Sequence, residues 1–209
     1  MKKEIINILC VNRDLMIRTF CLVSHNNLFT MASSRLGGDI LATNAILFQI
    51  MSIFSYAFDG IANTASVFSG RARGRKNNTL MKNCWKQTFF WGIIATILIT
   101  IVFVLFNRTI IEIFTKLPNI LILTQKYSIW LVLYPSIAFL GLTFYGVFTG
   151  AAKTVPIMTS TVLAFISFFI AWKFLIPIYG NNGVWLSLLV FYLGRGIFLI
   201  PQLKKTLTN

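Results

Sequence analysis

The chain has 209 residues, 56% of them hydrophobic and 11% charged, with a mean hydropathy of +0.76, which excludes an ordinary water-soluble domain. A formal net charge of +14 would suggest nucleic acid on a soluble surface, but the basic residues fall mainly between apolar runs. Membrane lipids with anionic headgroups are the simpler partner, and no nucleic acid is expected. Cys10, Cys21 and Cys84 are odd in number, widely spaced and without a CxxC pair, so neither a disulfide framework nor a zinc site is indicated.

At the N-terminus, Lys2 and Lys3 precede the short apolar run Ile5 to Val11. Asn7 interrupts that run, no small-residue cleavage site follows, and Asn12, Arg13 and Asp14 end it. Residues 1–14 therefore read as a cytoplasmic segment at the membrane interface and not as a cleaved signal. A six-helix transmembrane lobe over 15–201 and a cytoplasmic tail over 202–209 complete the expected organisation, an all-α membrane protein.

The first span, about Leu15 to Ser34, is unusually polar in its middle: Thr19, Ser24, His25, Asn26, Asn27, Thr30 and Ser33. Lipid cannot satisfy such groups, so this face must turn toward protein or a water-filled cavity. His25 is the only histidine; without a second ligand it marks no metal site. It reads as a packed or cavity-facing residue, or as one that handles protons or substrate.

Arg35 to Asp39 form a tight connection into the second span, Ile40 to Phe68, which is longer than the roughly 20 residues a bilayer requires. Asn44, Gln49, Asp59 and Asn63 supply its polar groups. Asp59 is the first functional candidate, since a carboxylate at membrane depth costs a few kcal/mol or more unless protonated, hydrated or paired. Arg18 and Arg195 are its candidate charge partners. Ala57, Gly60, Ala62, Ala65, Ser66, Ser69 and Gly70 are small enough to bring a neighbouring backbone close. Arg71, Arg73, Arg75 and Lys76 follow, a basic loop expected to face lipid headgroups or simply to fix topology on the cytoplasmic side.

The third span, Thr88 to Phe106, is Ile, Phe and Leu rich, with Trp85 and Trp91 near one interface. Residues 107–119 are amphipathic and too short to span, which fits an interfacial helix. The fourth span, Ile120 to Phe148, contains Pro135, expected to kink or break it, and carries Tyr134, Thr143 and Tyr145. Its end, Val147-Phe148-Thr149-Gly150, echoes Val67-Phe68-Ser69-Gly70. The fifth and sixth spans run from Val155 to Ile176 and from Val184 to Ile200, the last holding Arg195 between two glycines. Six spans put both termini on one side, and the excess of Lys and Arg there orients the chain N-in and C-in in a bacterial inner membrane.

Arg18-Thr19, Phe29-Thr30, Arg35-Leu36-Gly37, Leu41-Ala42-x-Asn44-x-x-Leu47-x-Gln49, Asp59-Gly60-x-Ala62, Gly70-x-x-x-Gly74, Gly150-x-x-x-Thr154-x-Pro156, Gly183-Val184-Trp185 and Arg195-Gly196 occur in that order. Together they resemble the C-terminal half of a MATE (multidrug and toxic compound extrusion) transporter of the DinF-like branch, over about Asp14 to Ile200. The resemblance implies one six-helix lobe of an antiporter that exports drugs or other organic cations and amphiphiles against protons or sodium. Five acids and one histidine, mostly scattered in loops, offer no nucleophile–base pair or metal cluster on a shared face, so no cofactor and no enzymatic activity are expected. His25, Asn26, Asn27, Asn44, Gln49, Asp59 and Tyr145 are the candidate cavity or ion-coupling residues.

Two of the family's acidic sites do not carry over. In the DinF-like branch the coupling acid sits in the other lobe; in the NorM-like branch the acids lie on helices matching the first and fourth spans, which here hold no interior acid. Ser66 stands where many members have Glu. A matching N-terminal lobe or a second copy of the chain is therefore the expected partner. A homodimeric half-transporter and a truncated, non-transporting membrane interaction protein are the alternatives.

Overall fold

Within hydrocarbon every backbone N–H and C=O must find its partner inside the chain, which for segments this apolar leaves the helix. The computed structural model describes residues 2–202, with side chains from residue 9 onward. It consists of seven helices: α1 (Lys2–Arg35), α2 (Gly38–Gly74), α3 (Asn78–Phe114), α4 (Pro118–Tyr127), α5 (Ile129–Gly150), α6 (Thr154–Tyr179) and α7 (Asn181–Ile197). Apart from Gln202, the tail expected at 202–209, with Lys204 and Lys205, lies outside the described residues.

Among the described residues, α2, α3, α5, α6 and a segment running from α7 to Gln202 are long and apolar enough to cross a membrane. α1 is long enough but too polar, and it takes its place in the lobe by packing along α6. No break separates its first turns from the rest: α1 runs unbroken from Lys2 past Asp14, where an interfacial segment was expected to give way to the span. Asp14 is buried against the start of α6, where its Oδ2 accepts from the Thr154 hydroxyl at 2.8 Å while Arg13 holds Oδ1 at 2.9 Å.

Two boundaries differ from the sequence expectation. The fourth span breaks at Ser128, between α4 and α5, and not at Pro135, through which α5 continues. Ser128 can end one helix and begin the next because its hydroxyl donates to the Gln125 carbonyl at 2.8 Å and accepts from the Asn107 amide at 2.9 Å. The amphipathic stretch after residue 107 is no separate interfacial helix; α3 carries it on across a kink at Phe106 (φ −113°). With no glycine or proline there, the helical bonds resume, Ile111 enters the core and Arg108 pairs with Glu112 at 2.7 Å on the outside.

α2 packs on α5 and α6 on α7, with α3 laid against α2 and α5. The central core gathers Leu47, Phe58, Tyr134, Phe168, Trp185 and Phe191, and a second cluster at the basic end gathers Met81, Trp85, Phe148 and Ile157. Phe90, Leu98 and Leu105 on α3 are among the large apolar side chains left exposed, the surface expected toward lipid.

The α2–α5 crossing is the tightest contact. A Cβ on Gly146 would collide with the Ala62 carbonyl, and one on Gly150 with the Ser66 carbonyl and the Ser69 hydroxyl. Ala62 and Ser66 on α2 thus face Gly146 and Gly150 on α5, small residues four apart on both helices. The echoing segments at residues 67–70 and 147–150 are not equivalent: α5 ends at Gly150, whereas α2 runs a further turn past Gly70 to Gly74. Lys76 (φ 50°) and Ala152 (φ 48°) sit in the left-handed region. In each case the next N–H reaches five residues back in the chain, Asn77 to the Ala72 carbonyl and Lys153 to the Phe148 carbonyl, both at 2.9 Å.

Gly146→Val should lower the melting temperature of the detergent-solubilised chain, by the equivalent of about 1–3 kcal/mol for a forced overpacking. Gly38→Ala, where a Cβ meets nothing within 4 Å, is the control. Equal melting of the two variants would show that this crossing does not hold the lobe together.

Candidate functional site

α1 and α2 meet near the turn that joins them, where the Phe29 and Phe48 rings lie 5.4 Å apart and Asn44 donates to the Ser33 hydroxyl at 2.8 Å. Gly37 (φ 110°) makes that turn, a conformation that favours glycine. Further along, α1 exposes Thr19, Asn26, Asn27 and Thr30, and α2 exposes Gln49, Tyr56 and Asn63. These positions recur at helical spacing, so each helix carries a polar strip on an apolar body.

At the end of these strips nearer the basic loop, three helices converge on one cluster. Tyr145 of α5 donates its hydroxyl proton to Asp59 Oδ1 of α2 at 3.1 Å. The guanidinium of Arg18, from α1, lies 4.9 Å from the Tyr145 ring centroid, within cation–π range. Asp59 and Tyr145 are both half-buried. Arg195 sits behind them, 5% exposed, with its guanidinium 5.9 Å from the rings of Phe191 and Tyr192. Among the described residues no ion pair within 4 Å joins Asp59 to either arginine. Its direct partner is Tyr145, and Arg18 reaches it through the same ring.

The other sequence candidates separate. Asn26, Asn27 and Gln49 are exposed on the polar strips, whereas His25 and Asn44 are 1% exposed. His25 turns into the lobe, stacked on Phe191 at 4.1 Å and edge-on to Phe168 and Tyr192, with Nδ1 3.3 Å from the Leu22 carbonyl. Asn44 joins α1, α2 and α7. Its amide donates to Ser33 and to Asn181 Oδ1 (2.6 Å), and its carbonyl accepts from Asn181 (3.1 Å) and Trp185 Nε1 (2.9 Å). Both amide protons and both lone pairs are used, so this side chain holds helices together inside the lobe and does not line an opening.

A second polar contact lies deeper, with Ser55 and Tyr134 hydroxyls 2.7 Å apart and the Tyr134 and Tyr192 rings meeting edge to face at 4.9 Å. Neither was singled out as a pair in the sequence, because they come from α2, α5 and α7 and share no local pattern. At the basic end, Arg71 and Arg73 occupy the last turn of α2 and Arg75 and Lys76 the turn beyond, all exposed. Lys153, in the loop beside them, is held below the ordinary lysine range by partial burial and by the nearby charge of Arg73.

The fold is an all-α membrane lobe with a tight small-residue crossing between α2 and α5 and a polar face exposed on α1 and α2. The MatE family pattern matches residues 15–175, and the chain belongs to the MATE family. It is 31% identical over 202 residues, 97% of its length, to DNA damage-inducible protein F of Escherichia coli (strain K12). The fold is similar to a crystal structure of MATE in the bent conformation, with a TM-score of 0.78 at 16% identity over 92% of the chain. It is equally similar, with a TM-score of 0.77 at 18% identity over 92% of the chain, to a MOP superfamily transporter from Pyrococcus furiosus described as having a binding pocket of reverse polarity. The chain spans 44% of the length of the Escherichia coli relative and 44% and 43% of the two structures.

Asn44→Leu should destabilise the lobe by leaving Asn181 and the Trp185 N–H buried without partners, a cost of about 1–3 kcal/mol for each such group. Gln49→Leu, on the exposed strip, should melt close to the parent. Differential scanning fluorimetry in detergent reads both; an Asn44→Leu variant as stable as Gln49→Leu would remove the knot's structural role.

Proposed function

We propose that the chain is one lobe of a cation-coupled MATE-type antiporter exporting organic amphiphiles, and that it works with a second lobe across the polar faces of α1 and α2. The observation that supports this most directly is the position of those faces. Asn26, Asn27, Gln49 and Asn63 are exposed at membrane depth, where lipid offers no hydrogen bonds and an exposed amide is unfavourable by kcal/mol amounts. A water-filled cleft between two lobes would satisfy them.

In this reading Asp59 is the coupling group. As a carboxylate it accepts from Tyr145; on taking up a proton, or on binding a cation between its second oxygen and the cleft, it loses the charge that Arg18 and Tyr145 face. That change gives the α1–α2–α5 junction two states of different charge, the kind of element that rocking of one lobe against another needs. The second lobe is a matching N-terminal six-helix chain, or a second copy of this one. The cargo is a drug or another organic cation or amphiphile, and the basic end faces the cytoplasm under the positive-inside rule.

Three outcomes test this reading. Expressed alone in an efflux-deficient host, the monomeric chain should leave susceptibility to cationic dyes unchanged, and cysteines on the exposed strip of α1 should cross-link to a partner. Robust efflux by a demonstrated monomer would overturn the two-lobe reading; efflux by a homodimer would select the second copy. In the active assembly, Asp59→Asn should lower gradient-driven export at least about tenfold, the loss expected when a hydrogen bond to a charged group goes. Tyr145→Phe should fall between the variant and the parent. A cysteine at Asn78 should resist an impermeant thiol reagent added outside intact cells, and labelling there would invert the orientation.

A further inference from the structure

A second opening lies outside the Asp59 cluster. It is a groove of about 640 Å³ between α2 and α3. Its walls are apolar for most of their length, formed by Phe68, Ala65, Ile61 and Ala57 on α2 and by Leu80 and Trp91 on α3. Thr64, Asn83, Gln87 and Thr88 are the polar residues that interrupt them, and Gly60 leaves the floor open, since a Cβ there would meet nothing within 4 Å.

Two features identify what fits. The groove extends along α2 from Phe68 to Ala57, about 16 Å at 1.5 Å per residue, which is about half of a 30 Å hydrocarbon core. Its Phe68 and Leu80 end adjoins the basic end of the lobe. There the Arg71 guanidinium stands 5.7 Å from the Phe68 ring centroid, while Lys82 and Lys86 are exposed on the first turns of α3. An apolar slot one leaflet deep, with a cation at its headgroup end, is complementary to a single anionic lipid. We propose that the α2–α3 groove binds one acyl chain of an anionic phospholipid whose headgroup is held at Arg71, making this a defined lipid site distinct from the transport face.

Trp91 lines the groove and is 54% exposed, so it can report on the occupant. The full chain is reconstituted in phosphatidylcholine vesicles into which phosphatidylglycerol or phosphatidylcholine with brominated acyl chains is titrated. The Trp91 signal is taken as the difference from Trp91→Phe. Half-quenching should need about fivefold less brominated phosphatidylglycerol than phosphatidylcholine, the preference expected of one basic residue at a headgroup. Arg71→Gln should cut that preference, and Gly60→Leu or, independently, Thr64→Leu should abolish it by filling the slot while ordinary contact quenching persists. Equal quenching by the two lipids in the parent chain would make the groove ordinary lipid-exposed surface. A preference that survives both filling variants would belong to the diffuse charge of the loop, and absence of quenching would show that protein covers the groove. Each of these three results overturns the proposal.

Discussion

The approach of α5 to α2 sets the position of nearly everything else of functional interest. Gly146 and Gly150 carry no side chain where the Ala62 and Ser66 carbonyls press against them, so the two backbones meet at a distance that any larger residue would prevent. Tyr145 immediately precedes the first of these glycines, and Asp59 lies one helical turn before Ala62. The 3.1 Å hydrogen bond between them is therefore a consequence of backbone packing: the crossing brings the two side chains to the same level of the membrane. In lipid, where apolar side chains gain little by leaving their surroundings, such close contact supplies much of the association between helices.

The buried polar groups obey a second rule, that what leaves water must be satisfied. Asn44, Asn181, Trp185 and Ser33 close a network near one end of the lobe, while Asp14 and Thr154 join α1 to α6 near the other. Between them lie groups that are not so satisfied. Among the described residues Arg18 Nε and His25 Nε2 have no hydrogen-bond partner, yet their settings differ. His25 is boxed by three aromatic rings, a packed environment that accommodates a neutral imidazole. Arg18 stands against the Tyr145 ring beside Asp59, where two guanidiniums share the surroundings of one carboxylate.

The sequence conveyed the helical membrane class, the span order and the polar strip of the first span, because hydropathy and 3.6-residue spacing are local properties. It also showed α2's small residues, although the glycines they meet lie on α5, more than 80 residues away. What it could not convey was rotation. His25 and Asn26 are neighbours, about 100° apart around the helix, and one is sealed against Phe191 while the other is exposed; only the aromatic surfaces of α6 and α7 decide which. The same holds for Asn44 and Gln49 on α2. Pro135 drew attention as a breaker, but the side-chain bonds of Ser128 to Gln125 and Asn107 arise from a fold that no local rule describes.

Once the helices are assembled, the lobe's surface sorts into three chemically distinct parts, and each demands a different neighbour. The outer side chains of α3, such as Leu98 and Leu105, match acyl chains. The end bearing Arg71, Arg73, Arg75 and Lys76 matches a negatively charged headgroup layer. The exposed amides of α1 and α2 match neither, and they run toward Asp59. Intramembrane polar faces of this kind persist only where water or another protein surface meets them. The proposed second lobe is supported by the solvation demand of Asn26, Asn27 and Gln49, independently of what is carried, and in that reading the site's chemistry begins at the boundary where the second surface would meet Asp59.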